Sequence, residues 1–284
     1  MKTRKIASQF AIYVPLTVFA VITLIPFLYM FFAALKTKDA FFSSQFYPVL
    51  GRWWQVDWNG FTLDNFRRLF DEAGFGRALL NSFFFASVTA IVATLGSMMA
   101  GFALSMYQFR GRGMITSIVL LALVIPGALL LAPGYQLLYW FGFLDSYNGL
   151  VLPLMAPAFG VYLFRQAFFS SLPRELLEAG RIDGCSEVRI LFQVAMPMVR
   201  PMIGAFILLT FLGAWNNYIQ PQIVLQTPEK FPLAVAVSQL RGPYLTEYGM
   251  LMAGTLVAVA PVLVLFLVLQ KDFISGLTSG SVKG

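Results

Sequence analysis

The residues of this chain best suited to chemistry lie in one charged segment, residues 173–201, which reads PRELLEAGRIDGCSEVRILFQVAMPMVRP. Its acids and bases alternate with apolar residues at helical spacing on both sides of Gly184, which can adopt a positive φ and reverse the chain. Ser170 or Ser171 is expected to cap a first helix with Pro173 in its first turn. Ser186 is expected to cap the second helix, which Pro197 and Pro201 interrupt. This mixed-charge surface suits the docking of another protein. The alternative is an ordinary amphipathic linker that lies on a membrane.

Residue types for catalysis are scarce. The chain has no His, which excludes His-based triads and the usual zinc sites, and it has no GxxxxGK[ST] loop for nucleotide phosphates. A single Cys, Cys185, excludes an intrachain disulfide. Arg165 is a candidate buried charge, although a long side chain near a helix end commonly extends to the membrane interface. We therefore expect no catalytic residue, no metal site and no cofactor bound by this chain.

Two amides stand out within an otherwise apolar run. Asn216 and Asn217 lie between Trp215 and Tyr218, and an unpaired amide costs several kcal/mol in hydrocarbon. These amides should therefore face a neighbouring helix or a watery path. Both readings stay open, because aromatic residues beside them are also typical of interfacial anchors.

The elements that carry these residues are predicted to be membrane helices. Only 12% of the 284 residues are charged, against roughly 25% in a soluble domain. Uncharged runs of 19 or more residues occur six times, and a spanning helix needs about 20 apolar residues. The predicted fold class is an all-α membrane protein, one domain over residues 1–284, with a helix-turn-helix between spans four and five. The predicted spans are residues 8–35, 79–107, 114–140, 147–169, 202–225 and 248–270.

Orientation follows from the basic residues on the loops. With the N-terminus in the cytoplasm, twelve Lys and Arg lie on that face and eight on the other, and the whole net charge of +7 falls inside. Both termini and residues 173–201 are then cytoplasmic. This distribution of charge across a membrane explains the net positive charge of the chain better than nucleic-acid binding does. The first apolar run is too long for a signal peptide and lacks a cleavage site, so we expect a retained span.

The order E-A-G-R-I-D-G, followed by M-P and a second proline, resembles the EAA loop of permease subunits of binding-protein-dependent ABC importers. In that family the loop forms a coupling helix that sits in a cleft of the ATPase subunit. Gly180 departs from the family pattern by replacing the second Ala, at a cost to the helix of about 1 kcal/mol. The resemblance assigns ATPase coupling to Glu178, Ala179, Gly180, Asp183, Gly184 and Pro197.

Three further stretches resemble the carbohydrate branch of the family, and in particular the shorter permease of maltose-type systems. They are WNNY in the fifth span, residues 231–254, and the ending LQKDFISGLTSGSVKG, whereas the first loop, residues 36–77, matches least well. The aromatic rings of WNNY could stack on a sugar while its amides bind hydroxyls. A plain surface loop and a disordered terminus are the alternatives for the other two stretches. The resemblance implies a substrate path at Trp215, Asn216, Asn217 and Tyr218, binding-protein contacts at Arg241, Gly242, Pro243 and Tyr244, and ATPase contacts at Lys283 and Gly284.

The resemblance implies a permease subunit that moves a sugar or oligosaccharide across a bacterial or archaeal plasma membrane. Partner ATPase subunits, two in number, would bind ATP and Mg and supply the energy. The other expected partners are a second, non-identical permease, an extracytoplasmic solute-binding protein and membrane lipid, with no nucleic acid. The alternatives are a permease for a polyol or glycerophosphate-type solute, a secondary transporter and a membrane scaffold.

Overall fold

The structure, a computed structural model, describes residues 2–50, 52, 54–242 and 247–278. These residues are nearly all helical and contain no β-strand, only the isolated bridges Lys36–Phe61 and Val49–Val56. Short 3₁₀ turns cover Trp58–Gly60, Gly127–Leu130, Leu152–Leu154 and Pro228–Lys230, and π-helical turns cover Ile190–Ala195. The α-helices are α1 (Lys2–Ala34), α2 (Lys38–Ser43), α3 (Asp64–Asp71), α4 (Phe75–Met106), α5 (Arg112–Val124), α6 (Leu131–Trp140), α7 (Tyr147–Val151), α8 (Ala158–Ser171), α9 (Arg174–Ile182), α10 (Glu187–Arg189), α11 (Met196–Met198), α12 (Arg200–Trp215), α13 (Ile219–Val224), α14 (Leu233–Gln239) and α15 (Tyr248–Thr278).

Among the described residues, four helical stretches are long and apolar enough to cross a membrane, and the number rises to six if each of two bent helix pairs counts as one span. The two bent pairs turn by 104° and 87°. The predicted all-α fold class is thus confirmed in its coarse form, as a nearly all-helical chain with four to six apolar helices in the described residues, which is consistent with a membrane protein. The four stretches are Gln9–Ala34, Phe75–Met106, Tyr147–Ser171 and Tyr248–Leu267, and the bent pairs are Arg112–Val124 with Gly127–Trp140 and Glu187–Met198 with Arg200–Trp215.

The 104° bend interrupts the span predicted over 114–140. Pro126 has no N–H to donate to the preceding turn, and its ring disfavours helical backbone at the residue before it. Ile125 accordingly leaves the helix with φ −74° and ψ 120°. The chain then resumes as a 3₁₀ turn at Gly127–Leu130 before α6 begins.

The described chain divides into two compact units, residues 1–76 with 236–261, and residues 77–235 with 262–284. In the first unit, the buried Lys36 donates from Nζ to the carbonyl oxygens of Ser44 at 2.6 Å and Gln45 at 3.0 Å. Asn65 donates from Nδ2 to the carbonyl oxygens of Ala34 and Lys36, and Arg68 pairs with Glu247 at 2.6 Å. The loop after α1 is thus folded back by hydrogen bonds to its own backbone.

In the second unit, α4 approaches α8 and the residues before it so closely that three positions admit only glycine. A Cβ at Gly96 would collide with the carbonyl oxygen of Met155, and one at Gly101 would lie 2.7 Å from the backbone nitrogen of Arg165. At Gly160 a Cβ would collide with Oγ of Ser97. Since lipid tails are as apolar as the helices, such backbone approach is a main source of association between spans.

We predict that Gly96→Val destabilises the protein by about 1–3 kcal/mol, because the obstructing atom is a backbone oxygen that cannot rotate away. The change should lower the midpoint of thermal unfolding in detergent. Gly204→Ala on α12 is the control, since no atom lies within 4 Å of its Cβ position. Equal unfolding midpoints for Gly96→Val and the wild type would contradict the close approach of α4.

Candidate functional site

Residues 173–201, called the hairpin segment below, contain two helical stretches reversed at a turn. The expected cap at Ser170 or Ser171 is wrong, because α8 continues through both residues and Pro173 itself is the cap of α9, with φ −62° and ψ 140°. Glu175 follows in the first turn, where the helix dipole favours an acid. Ser186 caps the second stretch, because its Oγ accepts the N–H of Arg189 at 3.3 Å. The predicted cap at Ser186 is confirmed. Pro197 lies in α11, and the helix axis turns by 87° after Met198, so the interruption is confirmed as well.

The turn between the two stretches depends on Gly184. Its φ is +77°, a left-handed value that residues with a side chain rarely adopt. The N–H groups of Gly184 and Cys185 donate to the carbonyl oxygens of Arg181 at 3.0 Å and Gly180 at 2.9 Å. No atom lies within 4 Å of a Cβ built at Gly184, so backbone conformation rather than space requires glycine here.

The inner face of the hairpin segment is buried in an apolar cluster with the ends of α4, α8 and α12. Burial of one large aliphatic side chain contributes roughly 1.5–3 kcal/mol, so several together hold the segment as a fixed body. From the hairpin segment the cluster takes Leu177, Ile190, Leu191, Ala195 and Val199, and from the helices it takes Phe102, Phe164, Phe168 and Phe206 among others.

The outer face of the hairpin segment exposes both polar and apolar side chains. Glu178 and Ala179 are exposed on α9. Ile182 is 86% exposed and Val188 is 66% exposed, on either side of the turn. Leu177, five residues before Ile182 and so about 140° away around α9, is buried. Sequence reasoning did not predict that Ile182 and Val188 are exposed.

Gly180, the departure from the family pattern, lies where α9 crosses the second helical stretch. A Cβ here would lie 3.3 Å from Cγ1 and 3.5 Å from Cδ1 of the buried Ile190. That contact is tight but involves a side chain with some freedom. A glycine therefore suits a hairpin whose second helix carries isoleucine at this crossing.

A polar network, also missed by sequence reasoning, joins the turn of the hairpin segment to the residue after α4. Tyr107 donates from Oη to Oε2 of Glu187 at 2.6 Å, and Arg181 donates from Nε to Oε1 of Glu187 at 2.7 Å. The hydrogen bond to Glu187 raises the pKa of the Arg181 guanidinium. Since Tyr107 and Glu187 are 80 residues apart, no local pattern pointed to their contact.

The amides at 216 and 217 lie at a break between two helices. Asn216 ends α12 and donates from Nδ2 to the carbonyl oxygen of Leu212 at 2.9 Å. Asn217 accepts the N–H of Gln220 at its Oδ1, 3.4 Å away, and donates from Nδ2 to Oε1 of the same residue at 3.3 Å. The span predicted over 202–225 is thus two helices, α12 and α13, whose ends are hydrogen-bonded by these amides.

The aromatic neighbours of the two amides differ in exposure. Trp215 is buried and stacks on Phe211, with ring centroids 5.7 Å apart and an angle of 20° between the planes. Tyr218 is 43% exposed. Of the two rings, Tyr218 is therefore the more accessible to a ligand.

Asp145 anchors residues 226–230, which precede in the chain the residues 241–244 that are predicted to contact a binding protein. Its Oδ1 accepts the N–H groups of Gln226 at 2.9 Å and Thr227 at 3.0 Å. Its Oδ2 accepts from the Thr227 hydroxyl and from Nζ of Lys230, the latter at 2.8 Å. The Lys230 ammonium, helped by these N–H and O–H donors, holds the pKa of the Asp145 carboxyl well below its usual range.

The residues predicted to contact a binding protein, 241–244, follow α14 in the chain. The N–H of Arg241 donates to the carbonyl oxygen of Ser238 at 3.2 Å, and Gly242 follows it. Pro243 and Tyr244 lie outside the described residues, as do Lys283 and Gly284 of the predicted tail contact.

Comparison with known proteins identifies the family. The family described as "Binding-protein-dependent transport system inner membrane component" matches residues 92–274, which include the hairpin segment, Asn216 and most of the described helices. The chain belongs to this family. It is therefore a permease subunit of an ABC transporter, an integral inner-membrane protein rather than an enzyme.

Two relatives match this permease over nearly its whole length. It is 36% identical over 282 residues to the arabinooligosaccharides transport system permease protein AraQ of Bacillus subtilis (strain 168), covering 98% of this chain and 99% of that protein. It is 31% identical over 271 residues to the lactose transport system permease protein LacG of Rhizobium radiobacter, covering 95% of each.

The fold of the permease is also known from a solved structure. The crystal structure of a bacterial ABC transporter involved in the import of the acidic polysaccharide alginate superposes with a TM-score of 0.81 and 22% sequence identity. The match covers 96% of this chain and 98% of that chain. At this identity the likeness shows a shared fold.

We predict that Asp145→Asn lowers the unfolding midpoint of the permease at pH 7, because the ion pair with Lys230 is lost. A carboxyl whose folded pKa is depressed stabilises the fold above its unfolded pKa, near 3.9, and loses this contribution as pH falls through the lower folded pKa. The difference between variant and wild type should therefore persist down to about pH 4 and shrink below it. Thermal unfolding in detergent across this range measures it.

Asp71→Asn provides the control for Asp145→Asn. Asp71 pairs with Arg67 at 3.5 Å, and both side chains are largely exposed, so the pair contributes little. An Asp145→Asn variant as stable as the Asp71→Asn variant at pH 7 would show that Asp145 does not anchor residues 226–230.

Proposed function

We propose that this permease carries an oligosaccharide across the membrane and is driven by ATPase subunits that dock on the hairpin segment. The observation that carries the proposal is the two-sided build of that segment. Its inner face is buried in the apolar cluster, and its outer face presents Ile182 and Val188 next to charged residues. A segment that is packed against the spans on its inner face, and that can bind a partner on its outer face, can transmit the partner's motion to the spans.

The outer face has the composition of a protein-binding surface. The cores of interfaces are apolar and surrounded by polar residues, and exposed apolar patches rimmed by polar groups commonly mark partner sites. Ile182 and Val188 are the exposed apolar side chains that would supply such a core, with Glu178 and Asp183 exposed on the same hairpin segment. The small, exposed side chain of Ala179 leaves room for a partner surface to approach α9, and Gly180 lets α9 pack closely on Ile190 beneath it. We assign ATPase coupling to these residues together with Gly184 and Pro197.

The orientation follows from charge. In the proposed six-span topology, twelve of the twenty Lys and Arg would lie on the face that carries the hairpin segment, and the positive-inside rule supports a cytoplasmic location for this face and for both termini. ATP is available there. In this arrangement residues 1–284 act as one transmembrane domain in the plasma membrane of a bacterium or archaeon, and residues 226–247 lie outside.

The substrate class rests on the relatives. Two of them are named for arabinooligosaccharides and lactose, and the solved structure of like fold imports alginate. All three substrates are saccharides. In this permease Tyr218 offers an exposed ring beside Asn217, whereas Asn216 is engaged by its own helix and Trp215 by Phe211. Tyr218 and Asn217 are thus the better candidates of the four for a substrate path.

The assembly needs chains that supply what this permease lacks. A second, non-identical permease would complete the path, two ATPase subunits would bind ATP and Mg, and an extracytoplasmic solute-binding protein would deliver the sugar. Residues 241–244 would contact that binding protein and Lys283 and Gly284 the ATPases. ATP-driven closure of the ATPase pair would move the hairpin segment, and the attached spans would switch between inward and outward access.

We predict that Ile182→Ser weakens retention of the ATPase subunits by roughly tenfold, the size expected for a residue at the core of an interface. Copurification from detergent, with the ATPase subunits quantified per permease, measures the loss. Leu63→Ser is the matched control, an aliphatic residue 70% exposed outside the hairpin segment. Equal retention for the two variants would argue against docking at Ile182.

We predict that Gly184→Pro uncouples ATP hydrolysis from transport, since proline cannot adopt the φ of +77° found here. Gly184→Asn should retain coupling, because Asn tolerates left-handed backbone better than other residues with side chains. The assay is ATP-dependent uptake of an oligosaccharide into vesicles that contain the complete importer. Wild-type vesicles without ATP-dependent saccharide uptake would refute the proposed function, and full transport by Gly184→Pro would refute the role of the turn.

A further inference from the structure

We infer that Tyr107 is a positioning residue that ties the hairpin segment to α4, so that a displacement of the segment moves this span. The inference rests on the proposed function, because it concerns how motion of the docked segment reaches the transmembrane helices. Tyr107 follows directly after the last residue of α4, which ends at Met106. It lies outside the hairpin segment and contacts both of its halves.

The contacts of Tyr107 converge on the turn of the hairpin segment. Glu187, at the start of the second helical stretch, accepts from the Tyr107 hydroxyl at 2.6 Å and from Nε and Nη2 of Arg181 at 2.7 and 3.3 Å. Arg181 belongs to α9, and its Cζ lies 5.9 Å from the centroid of the Tyr107 ring, within range of a cation–π contact. One tyrosine thus meets one side chain from each half of the turn.

On its other side Tyr107 continues into the aromatic cluster. Its ring packs edge-on against Phe102 of α4, with centroids 5.5 Å apart, and Phe102 packs edge-on against Phe168 of α8 at 5.3 Å. Edge-to-face pairs at these distances are favourable and directional. The turn of the hairpin segment is therefore joined to two transmembrane helices through a continuous set of contacts.

The hydroxyl of Tyr107 has a role distinct from holding the fold together. The Arg181–Glu187 ion pair and the buried underside of the hairpin segment would both survive its removal. Since Tyr107, Arg181 and Glu187 are all partly exposed, their bonds contribute modestly to stability. What the hydroxyl adds is a fixed attachment between the turn and the end of α4.

The test uses the complete importer in vesicles and measures ATP molecules hydrolysed per saccharide moved. Tyr107→Phe should raise this ratio roughly two- to fivefold, the effect expected for loss of one hydrogen bond. Glu187→Ala, which removes the group that accepts from Tyr107, should raise it similarly. The double variant should be no worse than the more severe single variant, because both changes break the same attachment. Tyr139→Phe, an exposed tyrosine on α6, is the control for loss of a hydroxyl.

An unchanged ratio in Tyr107→Phe, or additive effects in the double variant, would overturn the inference. If Tyr107→Phe fails to assemble, Glu187→Ala decides alone, since an unchanged ratio in that surface variant has the same meaning. The variants should retain as much ATPase subunit on copurification as the wild type does. Equal retention shows that the ATPase subunits still dock, so that the raised ratio reflects a weakened attachment of the hairpin segment to α4. Failure of the proposed function can be distinguished from failure of this inference, because it would abolish ATP-dependent uptake in wild-type vesicles as well.

Discussion

The structure depends on burial of the inner face of the hairpin segment against the aromatic ends of three membrane helices. Leu177 and Ile190 are almost completely buried there, beside Phe102 and Phe168. Between spans in lipid the hydrophobic effect gives no association, but at the membrane boundary apolar side chains leave water when they pack. Burial of these side chains holds the segment against α4, α8 and α12.

That cluster in turn requires close contact between α4 and α8. The absence of side chains at Gly96, Gly101 and Gly160 lets the backbones approach, which brings Phe102 and Phe168 into edge-to-face contact above them. The hairpin segment is therefore attached to α4, α8 and α12 by ordinary packing contacts. The polar network at Tyr107 restricts the relative position of the hairpin segment and α4. Hydrogen bonds and ring contacts depend on geometry and resist sliding of one element along the other, whereas aliphatic contacts permit it.

Local chemistry made much of the candidate site predictable. The cap at Ser186, the reversal at Gly184 and the interruption near Pro197 each depend on a residue and its immediate neighbours, and all three are confirmed. The bend at Pro126 was not predictable in the same way. Proline is tolerated within spans, as Pro15 and Pro26 in α1 show, since neighbouring groups can compensate for the lost hydrogen bond. Whether a proline breaks a span depends on what packs around it.

The sequence by itself determined that this is a helical membrane permease, where its apolar runs fall and where its polar hairpin reverses, because hydrophobicity and backbone preference act over a few residues. Only the tertiary structure decided that Leu177 is buried while Ile182 is exposed, that Gly180 faces Ile190, and that Tyr107 meets Glu187. These facts depend on which helix faces lie together. Such contacts join residues far apart in the chain, and their energies belong to the packed arrangement rather than to any local pattern.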